Sequence, residues 1–307
     1  MPSLSIVSAV YNTGNMVPEL VNRIKQTVSQ ITGTFEIILV DDGSSDSSWE
    51  TLESIAHEQS NITAIKLSRN FGQHAAIAAG LNHSTGDWVV VMDSDLEDLP
   101  EAIIPLYQEI NKGYSVVFAS RQSRTDSFFR QLSSKAFYRL FSWLADSPAD
   151  HSIANFGIYS RQVIDEIVKM KEYHLFFPTM VSWVGFKKSA IQYEHGKRQA
   201  GTSGYNFRKL TRLGINIILS YSDKPLRYVV KLGFVISLLT FLCGIIILIR
   251  YFMGHIMVLG YTSLILSIWF LGGLILFTIG IAGLYTGKIF EQVKNRPLFI
   301  IEKLTTG

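Results

Sequence analysis

The sequence predicts an α/β protein with a largely parallel sheet, followed by two helices of membrane length. Three observations carry that expectation. Through residue 120, short β-branched runs alternate with stretches of helical period, the pattern of strand–helix–strand units. Three of the runs end in polar or acidic loops: Tyr11-Asn12, Asp41-Asp42 and Asp93-Ser94-Asp95. Two later stretches, 232–253 and 259–285, are nearly free of charge, and each supplies the roughly 20 residues that a spanning helix needs.

The elements follow in order. Residues 4–10 read as a strand that ends in the loop YNTGN at 11–15. Residues 16–31 have helical spacing at Leu20, Ile24 and Val28. Residues 35–40 are a second continuous apolar strand, followed at once by DDGSSD at 41–46. Ser45 or Asp46 is placed to cap a helix over 48–59. A third strand covers 62–67, SRNFGQ at 68–73 is a loop, and 74–82 is an Ala-rich helix. The turn signal Thr85-Gly86-Asp87 leads into a buried strand at 89–92. Leu99-Pro100-Glu101 opens the next helix, with Pro in its first turn and acids beside its positive end. Residues 114–120 are another strand.

Beyond that strand the pattern changes. Residues 128–145 carry Phe129, Leu132, Ala136, Leu140 and Trp143 at helical spacing, with Arg130, Lys135 and Arg139 on other faces. Aromatic and basic residues together suit a helix lying in a membrane interface, and an ordinary domain helix has the same period. Residues 206–220 repeat the pattern, with Arg208, Lys209 and Arg212 beside Leu210, Leu213, Ile217 and Ile218. The two charge-free stretches, joined by 254–258, read as a transmembrane hairpin. Lys224, Arg227 and Lys231 precede it, Lys288, Lys294 and Arg296 follow it, and the joining loop has only Arg250 at its edge. The positive-inside rule then puts both ends, and the α/β domain, in the cytoplasm. Gly272, Gly273, Gly280, Gly283 and Gly287 give the second stretch a small-residue face for helix packing. This face and the amphipathic segments offer a route to a homo-oligomer.

Composition agrees. The chain has 307 residues, 48% of them hydrophobic, and a mean hydropathy of +0.22. That is too apolar for a soluble domain alone. The net charge of +3 is modest, and no nucleic-acid partner is expected. The one cysteine, Cys243, lies in an apolar run, so there is no disulfide framework, as suits a cytosol-facing protein. The first residues lack a basic leader and an apolar core, so no signal peptide is expected.

In an open α/β sheet the carboxyl ends of the strands share one edge, where ligands bind. The three polar loops should therefore converge on one cleft. Asp93 and Asp95 offer two hard oxygen ligands there, which suits Mg²⁺ or Mn²⁺ bridging a diphosphate. Acids at a strand end also serve as plain turns or helix caps. A calcium loop is excluded, because it needs Gly at its sixth position and Glu at its twelfth, and here these are Asp98 and Ile104. A dinucleotide-binding oxidoreductase needs a Gly-x-Gly-x-x-Gly turn after the first strand, which YNTGN does not supply.

With these parts in place the chain resembles a family 2 glycosyltransferase of GT-A, Rossmann-like fold. The subgroup it is similar to transfers sugar from a nucleotide donor to a polyprenyl phosphate, as dolichol-phosphate mannose synthase and the bacterial GtrB-type enzymes do. The resemblance covers almost the whole chain. It is carried by SIVSAVYN at 5–12, EIILVDDGSSD at 36–46, SRNFGQ at 68–73, DSDLEDLPE at 93–101 and RQAGTSGY at 198–205. Each is weak alone; their order along one alternating unit that ends in a membrane hairpin is specific.

The resemblance implies roles. Tyr11 and Asn12 would lie against base and ribose, and Asp42 would bind one of these with Asp41 beside it. Asn70 belongs with the donor-binding residues. Asp93 and Asp95 would face the diphosphate and hold Mg²⁺ or Mn²⁺, with Glu97 where relatives commonly have Gln. Arg121 would face the phosphates. Arg198, Ser203 and Tyr205 would sit on a loop closing over donor and acceptor phosphate. His151, Asn155 and Trp183 are candidates for the sugar pocket. The implied organisation is a cytoplasmic glycosyltransferase domain at 1–205, an amphipathic helix and linker at 206–231, a hairpin at 232–287 and a cytoplasmic tail at 288–307, in a bacterial inner membrane. The implied reaction is inverting transfer to a polyprenyl phosphate, undecaprenyl phosphate in a bacterium.

Three positions depart from the family pattern. The loop at 11–15 lacks acids, Gly157 stands where relatives often have Arg, and Gly204 where many have Lys. The last two changes would remove positive charge near the phosphates. Two rival readings follow. A processive polysaccharide synthase would carry a Gln-x-x-Arg-Trp motif and many spans, but here the nearest tryptophan, Trp183, sits in TMVSW at 179–183 and there are two spans. A catalytically decayed membrane scaffold is the other, against which the intact Asp93 and Asp95 speak.

Overall fold

The computed structural model describes residues 3–121, 153–170, 172, 175–193, 222–253 and 260–307. They fall into two units, one built from 3–121, 153–193 and 296–307 and the other from 222–295.

The first unit is a sheet covered on both faces. Its strands are β1 (Leu4–Val10), β2 (Phe35–Asp41), β3 (Ile62–Leu67), β4 (Trp88–Asp93), β5 (Val116–Arg121), β6 (Ile153–Ser160), β7 (Lys188–Tyr193) and β8 (Ile301–Thr306). Its helices are α1 (Val17–Val28), α2 (Ser48–Glu58), α3 (Gln73–His83), α4 (Ile103–Ile110), α5 (Arg161–Lys169) and α6 (Phe177–Trp183). The strand order is β7-β5-β6-β4-β1-β2-β3-β8. The pairs β1–β2, β1–β4, β2–β3 and β5–β7 are parallel, and β4–β6, β5–β6 and β3–β8 are antiparallel. The sheet is thus more mixed than the alternating pattern predicts.

The strands are continuous apolar runs because both faces are buried. Successive residues alternate sides: Ile37 and Leu39 join the layer under α1, α2 and α4, while Ile38 and Val40 join the layer under α3, α5 and α6. In α1, Leu20, Ile24 and Val28 are all fully buried, which contributes roughly 1.5–3 kcal/mol for each side chain. At the start of α2 the cap position is Ser47, not Ser45 or Asp46, but Asp46 Oδ1 does accept the Ser48 N–H at 3.1 Å. Pro100 opens a 3₁₀ turn, Pro100–Ala102, that leads into α4.

Residues 288–307 are more than a tail. Phe299 and Ile301 pack on the core, Ser68 N–H donates to Ile300 O at 2.9 Å, and β8 closes the sheet edge beside β3. Gly157 also differs from expectation. It lies inside β6, opposite Val91 and Phe118, and a Cβ there would come within 2.8 Å of Val117 O and 2.9 Å of Tyr159 Oη. The missing side chain is therefore a packing requirement of the sheet.

The second unit holds α7 (Lys224–Phe252) and α8 (Tyr261–Val293), of 29 and 33 residues. At 1.5 Å per residue they run about 44 and 50 Å, beyond the roughly 30 Å of a hydrocarbon core. Their apolar windows, Lys224–Cys243 and Ser267–Val293, have mean hydropathies of 1.8 and 2.0, long and apolar enough to cross a membrane. Both helices outrun the charge-free stretches because their polar ends are satisfied locally. Arg227 pairs with Asp223 at 2.7 Å, and Lys288 with Glu291 at 3.5 Å. Tyr285 Oη donates to Ser222 O at 2.8 Å, tying α8 to the approach to α7. The amphipathic stretches 128–145 and 206–220 lie outside the described residues.

Candidate active site

Register brings the acid loops together. Val10 lies opposite Asp41, and Ala9 opposite Asp93, so β1, β2 and β4 end at one edge. Because β5 and β7 run the same way as β4, Arg121 and Tyr193, partners in register, end there too.

The loop after β1 splits the expected pair. Tyr11 is 49% exposed. Asn12, held at φ 53°, binds the loop after β2: its Oδ1 accepts Ser45 N–H at 2.9 Å, and its own N–H donates to Ser44 Oγ at 3.0 Å. Asn and Asp tolerate this left-handed region better than other non-glycine residues.

The two acids after β2 also differ from expectation. Asp42, expected at base or ribose, is 2% exposed, and both its oxygens are occupied. Oδ1 accepts Phe71 N–H at 2.7 Å and Oδ2 accepts Gly72 N–H at 2.9 Å. Asp42 thus holds the loop after β3. Asp41 accepts Ser44 N–H on Oδ1 at 3.2 Å, while its Oδ2 is buried with no partner. Burial pushes both carboxyls above their usual range, against the hydrogen bonds they accept. A buried oxygen without a donor is costly. Gly43, at φ 66°, lets the two loops touch, since a Cβ there would lie 2.6 Å from Asn70 N. Asn70 is exposed in this contact, and the Arg69 guanidinium stacks 4.0 Å over the Phe71 ring.

The loop after β4 alternates. Asp93, Asp95 and Glu97 are partly exposed, while Ser94, Leu96 and Asp98 are buried. Leu96 sits at φ 58°, a strained value for a bulky side chain. Asp93 Oδ1 accepts the Gln73 side-chain N–H at 2.7 Å, and Asp95 Oδ1 accepts Glu97 N–H at 3.1 Å. Thr13 and Ser94 share a hydroxyl hydrogen bond of 2.9 Å, which ties this loop to the one after β1. Asp98 is an anchor of the acid loop that the sequence did not reveal. It is 2% exposed, its Oδ1 accepts Tyr193 Oη–H at 2.6 Å, and its Oδ2 lies 3.4 Å from Asp93 N. Asp98 anchors the acid loop to the end of β7. An acid in an acidic run gives no sign of burial; only its partner on β7 does.

Not every expected residue joins the edge. Trp183 is 74% exposed and lies before the start of β7, at the opposite edge of the sheet, so it is not in a sugar pocket here. Asn155 is half-buried in β6, and its carbonyl accepts Tyr159 Oη–H at 3.2 Å. His151, Arg198, Ser203, Gly204 and Tyr205 lie outside the described residues, and of Arg121 only the strand position is described.

The donor set decides which ion would fit. Among the described residues no three of His, Cys, Asp and Glu cluster as a self-sufficient metal cage. Two carboxylates and no thiolate or imidazole do not suit zinc. They do suit a hard octahedral ion that keeps water and takes its other ligands from substrate phosphates.

Known proteins match this arrangement. Residues 5–190 fit the family model described as glycosyl transferase family 2. The uncharacterized glycosyltransferase YkcC of Bacillus subtilis is 35% identical over 300 residues, covering 97% of this chain and 93% of its own. The SfII prophage-derived bactoprenol glucosyl transferase of Shigella flexneri is 33% identical over 305 residues, 99% of each. The undecaprenyl-phosphate 4-deoxy-4-formamido-L-arabinose transferase of Proteus mirabilis is 33% identical over 308 residues, 98% of this chain and 93% of its own. The family match spans the strands that carry the acid edge, and the relatives run on through both apolar helices. This chain belongs to glycosyl transferase family 2.

Proposed function

We propose that the chain transfers a sugar, with inversion at the anomeric carbon, from a nucleotide-sugar donor to a polyprenyl phosphate in a membrane. The observation that carries this reading is end-to-end likeness. Relatives named for bactoprenol and undecaprenyl phosphate match the acid-edged domain and the apolar helices alike.

The residues divide the work. The exposed Tyr11 ring stacks on the base, while fully buried Asp41 holds the loop after β2 through Ser44. Asn12 and Asp42 hold the loops beside it. Asp93 and Asp95 would hold Mg²⁺ or Mn²⁺, which would supply positive charge to neutralise the leaving diphosphate. Arg121 and the 198–205 segment supply further positive charge and donors. An oxygen of the lipid phosphate attacks C1 of the sugar, and the C1–O bond to the nucleotide diphosphate breaks with its electron pair. The lipid phosphate is already anionic at neutral pH, so no strong general base is required. One in-line displacement inverts the centre, unlike the paired-carboxylate chemistry of glycosidases.

The deciding experiment is a donor screen. Purified chain receives undecaprenyl phosphate, Mg²⁺ or Mn²⁺, and labelled UDP-, GDP- or dTDP-sugars. Label should enter the lipid fraction with one nucleotide class and only when lipid phosphate is present. No glycolipid with any donor, or a polymer instead, overturns the reading.

The basic residues flanking α7 and α8 support a cytoplasmic acid edge in a bacterial inner membrane. In a Cys243→Ser background, an impermeant thiol reagent applied outside cells should label Gly254→Cys and not Lys112→Cys. The reverse pattern overturns the orientation.

A further inference from the structure

Asp93 is held from two sides, by the Gln73 side chain on Oδ1 at 2.7 Å and by Asp98 beside its backbone N–H. Gln73 is the first residue of α3, and its side chain is exposed, so it is no part of the core. The chain that delivers it is pinned in turn. Asp42 takes the N–H groups of Phe71 and Gly72 at 2.7 and 2.9 Å, and Gly72, at φ 99°, turns directly into Gln73. Asp42 lies next to Asp41, whose buried Oδ2 has no partner. One short path, Asp42 to Phe71 and Gly72 to Gln73 to Asp93, therefore joins the loop after β2 to the loop after β4.

We infer that Gln73 is a positioning residue for Asp93, orienting its carboxylate for the divalent ion that the donor diphosphate would bring. This rests on the reading of Asp93 and Asp95 as the metal pair. A carboxylate turns about its last torsion between two broad, equivalent wells. The Gln73 hydrogen bond on Oδ1 narrows that freedom before the ion arrives. Partners of metal-ligating carboxylates typically govern affinity by about 10–100-fold. A neutral amide suits the role, because it orients Asp93 without cancelling the charge that attracts the ion. The path back to Asp42 links that orientation to the loop beside the nucleoside end.

The test counts bound Mn²⁺ rather than product. Full-length chain is titrated with Mn²⁺ at saturating UDP, GDP or dTDP, whichever supports uptake, and free Mn²⁺ is read by electron paramagnetic resonance. Gln73→Met, similar in length and lacking a donor, should weaken Mn²⁺ binding by about 10–100-fold. Gln73→Ala, which removes the amide altogether, should weaken it to the same degree. The Mn²⁺ concentration for half-maximal transfer should rise in step, while turnover at saturating Mn²⁺ changes little. Melting temperatures should match wild type; if Gln73→Met melts early, Gln73→Ala carries the comparison. Tight Mn²⁺ binding by both Gln73 variants, with binding lost in Asp95→Asn, overturns the role of Gln73 alone. A wild type that binds no Mn²⁺, or an Asp95→Asn that binds it unchanged, overturns the metal reading beneath it.

Discussion

Asp95→Asn should abolish sugar transfer while leaving the melting temperature and membrane insertion as they are. The side chain is partly exposed, so the substitution removes no core contact. Its known tie is local, Glu97 N–H to Oδ1 at 3.1 Å, and the amide oxygen of Asn still accepts that bond. The loop keeps its form and loses one negative charge where the divalent ion would sit. Such an ion stabilises developing charge by several kcal/mol, and each 1.4 kcal/mol is tenfold in rate, so the loss should be about a thousandfold or more. Initial rates at saturating donor, repeated over a range of Mg²⁺ and Mn²⁺ and with EDTA, give the comparison. Near wild-type turnover in the variant, or transfer that persists in EDTA, would sink the assignment. A loss that tracks a lower melting temperature would make Asp95 structural.

The parts legible in the sequence were those whose signal is local. β1 and β3 match their sequence reading residue for residue, because each is an apolar run bounded by polar loops and buried on both faces. The edge that collects Asp41, Asp93 and the chain after β1 follows from the same pattern, since parallel strands share one carboxyl end. What stayed hidden depends on distant partners. β8 alternates as IEKLTT at 301–306, too short and polar to stand out, and finds β3 only after both long helices. Asp42 and Asp41 look equivalent in sequence. The loop after β3 makes them different, taking both oxygens of Asp42 and leaving one oxygen of Asp41 without a partner. Gly157 looks like a lost basic residue until the Val117 carbonyl and the Tyr159 ring are seen to fill the space beside it.

Arg198→Ala should cost about a hundredfold or more in rate and little in stability. The described chain supports this as far as Tyr193. β7 runs parallel to β5, so it delivers Tyr193 to the acid-bearing edge. There its hydroxyl is locked onto buried Asp98 at 2.6 Å, and its ring meets Phe156 edge-on at 5.4 Å. The next residues therefore start from a fixed point beside the loop of Asp93 and Asp95. The segment 195–205 also holds Gly201 and Gly204. A guanidinium grips phosphate bidentately where an ammonium is a point charge, so Arg198→Lys should recover only part of the rate. One charge-assisted contact that matters most in the transition state is worth on the order of 2–4 kcal/mol. Steady-state rates with lipid phosphate and nucleotide sugar each varied, beside a thermal melt, separate the outcomes. A fall in turnover at saturating substrates with an unchanged melt places Arg198 at the reacting phosphates. Wild-type turnover, or a loss that follows the melting temperature down, makes the segment an ordinary surface loop.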